Sequence, residues 1–256
     1  MTSTASADTS ARELYLDLLV KVLTNMIYGD PSTNPESTGP FQPKLRLEGR
    51  DWPAVAHTMI GVRRLENVRD LAQRVIDHGI PGDFAEAGVW RGGCCIFMRG
   101  ILAANVVKDR KVYAIDSFAG LPPPNTELFP QDHGLNLHLY PELTASLEEV
   151  KANFARYGLL DDQVVFVKGL FQHTLPSLHA GPFALLRLDG DLYESTYVAL
   201  ETLYPKLSSR GFIILDDYKL IPAVQAAVQD YRTRMGVESP MHDIDWNGVW
   251  WQKEEL

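Results

Sequence analysis

The chain has 256 residues, enough for one large α/β domain or two small ones. Its 45% hydrophobic and 22% charged residues are those of an ordinary soluble globular protein, and a formal net charge of −9 argues against non-specific binding to nucleic acid or an anionic membrane. No apolar run can span a bilayer, and the adjacent Cys94 and Cys95 are too few for a disulfide framework, so a reducing cytoplasm is expected.

Residues 1–10 lack the charged and apolar regions of a signal peptide and are expected to form a disordered tail. From Ala11 to Tyr28, Leu14, Leu18, Val22 and Met26 recur every four residues, which predicts a helix. So apolar a helix needs a partner: the core, a lid or a second copy in a homo-oligomer. Residues 29–43, rich in Pro, Ser, Thr and Gly, predict a loop or mobile flap. Helical patterns follow over 53–68 and 67–78, stopped by Gly79 and Pro81. Residues 11–80 are thus expected as a helical and flap extension packed on a domain of residues 81–256.

Asp83 to Glu86 then predicts a strand, residues 87–93 a glycine-containing turn, and Cys94 to Ala103 a helix. Gly88, Gly92 and Gly93 would let backbone approach a ligand at a helix N-terminus, but their spacing is not G-x-G-x-x-G, which disfavours a dinucleotide. A strand over 111–115 ends in Asp116, where a carboxylate can hold the two hydroxyls of a ribose. The other reading of Asp116 is a turn or N-cap acid; the neighbouring glycine turn favours ribose. Residues 119–141 make a long connection with Asp132, His133 and His138, the dimensions of an active-site lid. A helix over 143–157 carries Ser146 and Glu149 at capping-box spacing. A strand over 163–168 leads into Gly169, Leu170, Phe171 and Gln172.

The apolar run Ala184–Leu188 ends in Asp189, Gly190 and Asp191, and Phe212–Leu215 ends in Asp216 and Asp217. Between these runs a helix is expected to about Leu207, and after them another from Pro222 to Met235. If the two runs are neighbouring strands, four acids crowd one region, outside the carboxyl ends where open sheets bind ligands. Their repulsion is unfavourable unless a cation or proton sits among them, and an all-oxygen set favours Mg²⁺ first, then Ca²⁺ or Mn²⁺. A last run, 248–252, predicts an edge strand. The alternation of elements implies one doubly wound, mostly parallel sheet.

Several stretches together resemble the macrocin O-methyltransferase family, class I S-adenosylmethionine-dependent enzymes that methylate deoxysugars in antibiotic pathways. They include Leu14-Tyr-Leu-Asp-Leu-Leu19, Ala56-His-Thr-Met-Ile-Gly61, Gly82-Asp-Phe-Ala-Glu-Ala-Gly-Val-Trp-Arg-Gly-Gly93, Asp116-Ser-Phe118, Asn136-Leu-His138, Leu188-Asp-Gly-Asp-Leu-Tyr193 and Asp216-Asp-Tyr218. One departure is Ala87, where the family pattern has Thr. The resemblance implies a seven-stranded Rossmann-like sheet, an S-adenosylmethionine cofactor, Mg²⁺ and a glycosylated small-molecule acceptor. It places Glu86 and Gly88 along the cofactor's amino-acid portion, Asp116 at the ribose, and Ser117 and Phe118 beside the adenosine. His57, Thr58 and Met59 fall near its methionine end, and Trp90, Gly169, Phe171 and Asp189 complete the cofactor set. Asp189, Asp216 and Asp217 would bind Mg²⁺. Asp191, on the turn after Gly190, would be the base, with His138 in the lid as the other candidate. Competing readings are a catechol or phenol O-methyltransferase with the same metal logic, a metal-dependent phosphohydrolase, and a nucleotide-binding module without chemistry.

Overall fold

The computed structural model describes residues 10–35 and 37–255. The expected tail lies outside them except for Ser10, whose hydroxyl caps the first helix in a capping box with Glu13. Seven strands form one sheet in the order β3-β2-β1-β4-β5-β7-β6. They are β1 (Asp83–Ala87), β2 (Val112–Asp116), β3 (Val164–Lys168), β4 (Phe183–Leu188), β5 (Leu207–Leu215), β6 (His242–Asp243) and β7 (Val249–Gln252). The first five are parallel; β7 runs antiparallel to β5 and β6 antiparallel to β7. The run at 248–252 is therefore interior, and the two-residue β6, too short to carry a periodic signal, takes the edge.

Helices cover both faces: α1 (Ala11–Leu23), α2 (Pro43–Glu48), α3 (Gly61–Asp77), α4 (Gly93–Ala104), α5 (Leu147–Arg156), α6 (Phe171–Thr174), α7 (Tyr193–Leu203) and α8 (Pro222–Met235). The strand pleat sends alternate side chains to opposite layers. Phe84, Phe212 and Ile214 pack with α1, α3, α4 and α5, whereas Ala85, Ala87, Ile213 and Leu215 pack with α6, α7 and α8. On α1 the buried residues are Leu16, Leu19, Val20 and Leu23, while Leu14, Leu18 and Val22 face outward.

Three helix boundaries differ from expectation. Residues 53–60 are not helical, because their backbone is used elsewhere: His57 N–H donates to Leu23 O, its carbonyl accepts from Gly93 N–H, and Ala54 N–H donates to Pro31 O. After Leu203 the chain tightens into a 3₁₀ turn over Tyr204–Lys206 and enters β5 at once, so β5 starts five residues before its apolar run. The 119–141 connection contains 3₁₀ turns at Pro130–Asp132 and Leu137–Leu139, and α5 waits until Ser146 caps it through Glu149 N–H.

Candidate active site

β4 and β5 pair with Leu188 opposite Leu215, so both strands run out of the sheet together into acids. Asp189 N–H still bonds Ala87 O, and Asp216 N–H still bonds Leu188 O, which continues the ladder one residue further. Asp191 and Asp217 then adopt left-handed backbone, at φ 58° and 51°. Asp tolerates this region better than most residues, and such departures cluster where function over-determines the fold. The result is a trio: carboxylate oxygens of Asp189, Asp191 and Asp217 lie within 4.8 Å of one another. Asn247 Nδ2 donates to Asp217 Oδ1 at 2.7 Å.

Asp216 takes a different role from the one expected. Its two oxygens are ion-paired with Arg64 and Arg187, and it is buried. Arg187 lies directly across the sheet from Glu86, and their side chains pair at 2.6 Å. Arg187 also reaches Asp189 at 2.9 Å. The electrostatics follow these partners. Burial pushes Asp216 up, but Arg64 and Arg187 outweigh it and hold its carboxyl below the ordinary range. Burial, with Asp216 and Asp217 as repelling neighbours, drives Asp189 well up despite Arg187. Burial and the charges of Asp216 and Asp191 do the same to Asp217. Asp191 rises to about 7, from burial first and then Asp189. A hard divalent cation would offset both burial and repulsion, and an all-oxygen donor set of this size suits one.

At the other end of the site, β2 delivers Asp116. Its carboxylate accepts from Val89 N–H at 2.7 Å and Phe118 N–H at 2.8 Å, and more loosely from Trp90 N–H at 3.4 Å and the Ser117 hydroxyl at 3.3 Å. Through these bonds Asp116 organises the turn between β1 and α4. Gly88 has a packing reason of its own. At φ 91° a Cβ there would collide with the carbonyl of Asp189, so glycine lets the ends of β1 and β4 meet. Glu86 is 1% exposed and committed to Arg187 and to the Cys95 thiol.

One cleft, with a cavity volume of about 290 Å³, joins these two ends. Of the expected cofactor residues, Thr58, Met59, Glu86, Gly88, Trp90, Asp116, Ser117, Phe171 and Asp189 line it. Phe118 does not: its ring is buried against Phe166. Gly169 is also outside the lining; its N–H bonds Asp116 O, and Leu170 and Phe171 face the cleft after it. His57 is turned to the Tyr157 hydroxyl at 2.7 Å. His138 sits beside the lining residue Leu137, with a buried Nδ1 that has no hydrogen-bond partner.

Sequence reading did not anticipate Arg64, Arg187, Asn34, Trp52, Trp246 and Asn247 in the lining. Arg187 carried a signal: a charge inside a run buried at all six positions must have partners. Arg64 lies on α3, where a helical period marks packing and not function, and the other four come from loops.

Comparison with known proteins agrees with this geometry. A family model described as macrocin O-methyltransferase (TylF) matches residues 12–253. The chain is 46% identical over 256 residues to a demethyldecarbamoylnovobiocin O-methyltransferase of Streptomyces niveus, covering 98% of this chain and 97% of that one. It is 50% identical over 244 residues to an 8-demethyl-8-(2,3-dimethoxy-alpha-L-rhamnosyl)-tetracenomycin-C 4'-O-methyltransferase of Streptomyces olivaceus, covering 94% and 93%. The solved structure of the O-methyltransferase NovP superposes with a TM-score of 0.92 at 46% identity, over 95% of this chain and all of that one. The seven-stranded, doubly wound sheet is the class I methyltransferase fold. By sequence and by structure, the chain belongs to the macrocin O-methyltransferase family.

Proposed function

We propose that this enzyme transfers the methyl group of S-adenosylmethionine to a sugar hydroxyl of a glycosylated natural product, with Mg²⁺ held by Asp189 and Asp217. The observation that carries the reading is one cleft with Asp116 at one end and three converging carboxylates at the other. A relative whose name specifies a rhamnosyl acceptor, at 50% identity, supports a sugar hydroxyl over a phenol.

Methyl transfer from a sulfonium is an in-line displacement with a good leaving group, so the protein must orient the nucleophile and take its proton. Asp116 would hold the cofactor's ribose, and Thr58, Met59 and Trp90 would flank the cofactor along the cleft. Mg²⁺ keeps much of its water and needs only one or two carboxylates. Asp189 and Asp217 fill that role, while Asp216 stays with its arginines. When bound, the cation orients neighbouring hydroxyls and lowers their pKa. The hydroxyl oxygen would bond to the methyl carbon as the carbon–sulfur bond breaks, and Asp191 would take the proton. The products are the methyl ether, neutral S-adenosylhomocysteine and a protonated Asp191. The exposed stripe of Leu14, Leu18 and Val22 on α1 suits a homo-oligomer, and the two buried free cysteines suit the cytoplasm.

Titration calorimetry with S-adenosylhomocysteine tests the cofactor reading, followed by turnover assays on panels of glycosides and simple phenols. Binding, with turnover confined to glycosides, is expected. Absence of binding would refute the cofactor assignment, and turnover of phenols alone would refute the sugar acceptor.

A further inference from the structure

Several segments between Thr24 and Ala56 converge on one guanidinium. Arg46, on α2, is fully buried, and all five of its N–H groups are used. Nε donates to both oxygens of Asp51, at 3.0 and 2.9 Å. Nη1 donates to Asp30 Oδ1 at 2.7 Å and to Thr24 O at 2.8 Å. Nη2 bonds Asp30 O at 3.0 Å and pairs with Asp51 Oδ2 at 2.8 Å. Asp30 passes the restraint on: its other oxygen accepts from Val55 N–H at 2.6 Å and Ala56 N–H at 3.3 Å, and Asn25 Nδ2 donates to Oδ1 at 2.8 Å. One side chain therefore ties the end of α1, the loop after it, α2 and the 51–56 segment together. The Gly49–Gly61 backbone contact, where a Cβ on either would collide with the other segment, closes the same unit.

This unit is a wall of the cleft. Asn34, Gly49, Asp51 and Trp52 face it, and Gly49 O accepts from Nη2 of Arg64, the arginine paired with Asp216 at the carboxylate end. It is also docked onto the rest of the site: Arg91 Nη1 bonds Pro53 O and Ala56 O, both at 3.0 Å, and Trp52 packs edge-on against Tyr140. The composition of 29–43 predicts a loop or mobile flap, and the bonding fastens its start at Asp30, Ser32 and Thr33.

We propose that Arg46 is a positioning residue that holds residues 30–56 as a preformed wall on the acceptor side, so that acceptor glycosides bind a rigid surface. The acceptor part of this inference rests on the proposed function; the rigidity part does not. A buried charge network of this kind stabilises little by itself, whereas breaking it leaves uncompensated charge, so its use is to fix one arrangement.

Arg46→Met and the milder Asp30→Asn test it; neither residue lines the cleft. Hydrogen exchange is compared with the parent enzyme, along with the S-adenosylhomocysteine dissociation constant and the kcat and KM for an accepted glycoside. Faster exchange confined to residues 24–56, an acceptor KM raised about 10- to 100-fold, and near-parental affinity for S-adenosylhomocysteine are expected; small misplacements of positioning groups act on this scale. A merely structural role would speed exchange across the sheet and reduce the active fraction with KM unchanged, and that result overturns the proposal. So does unchanged exchange at 24–56 in either variant. If the parent turns over no glycoside, the proposed function fails on its own, and the exchange pattern still decides whether Arg46 clamps the wall. If Arg46→Met does not fold, Asp30→Asn carries both comparisons.

Discussion

Asp191 and Asp217 hold the same unusual backbone conformation at the ends of neighbouring strands, and with Asp189 they form the trio at the base of the cleft. Their division of labour is open to direct test. Asp191→Asn keeps the shape and removes the proposed proton acceptor. It is expected to lower kcat by about 10²-fold or more while Mg²⁺ and cofactor affinities change little. If calorimetry shows that the variant loses Mg²⁺, Asp191 is a ligand and the proton goes elsewhere, His138 with its unpaired Nδ1 being the candidate. His57 offers a second residue-level prediction. Burial first, then Arg156 and Arg91, lower its pKa to about 4. Below the ordinary value near 6.5 the unfolded chain takes up a proton that the folded chain refuses. Stability from this group is therefore full above about 6.5 and is lost as pH falls toward about 4. His57→Gln should flatten the melting temperature against pH in that window, measured as the difference from the parent. Parallel curves would show that His57 does not titrate as described.

Among elements, β1 and β4 bear most on the site, because their ends touch. Gly88→Ala would force a Cβ onto Asp189 O in a left-handed conformation. It is expected to cost about 1–3 kcal/mol or more in urea unfolding, the scale of overpacking plus backbone strain. Unchanged stability would mean that the strand ends separate freely. Strands and helices with a strong period were legible in the sequence, and α8 has the predicted bounds. What was not legible came from competition between backbone partners. Residues 53–60 carry a helical pattern but spend their backbone groups on Leu23, Pro31 and Gly93. The long 119–141 connection is pinned at Asp132, fully buried, which accepts from Tyr193 N–H at 2.6 Å and Glu194 N–H at 3.3 Å and so caps α7. An aspartate sixty residues away from the helix it caps leaves no local signature.

At the scale of the whole molecule, the acids at strand ends were legible because carboxylates there have no packing use. The cations that sort them were not. Arg64 comes from α3 and Arg187 from within β4, and only folding shows that both claim Asp216. Among the described residues no helix is long and apolar enough to cross a membrane. The two layers of core put the expected strand-end carboxylates on one rim of the sheet, where the cleft runs from Asp116 to Asp217.

Metal dependence is the most direct test of the trio's role in catalysis. Turnover of a glycoside is measured after exhaustive chelation, with metal content checked, and again after Mg²⁺ is restored. Loss of activity on chelation and its return with Mg²⁺, but no return in Asp189→Asn or Asp217→Asn, is the predicted result. Full activity in excess chelator, with no metal left on the protein, would contradict it.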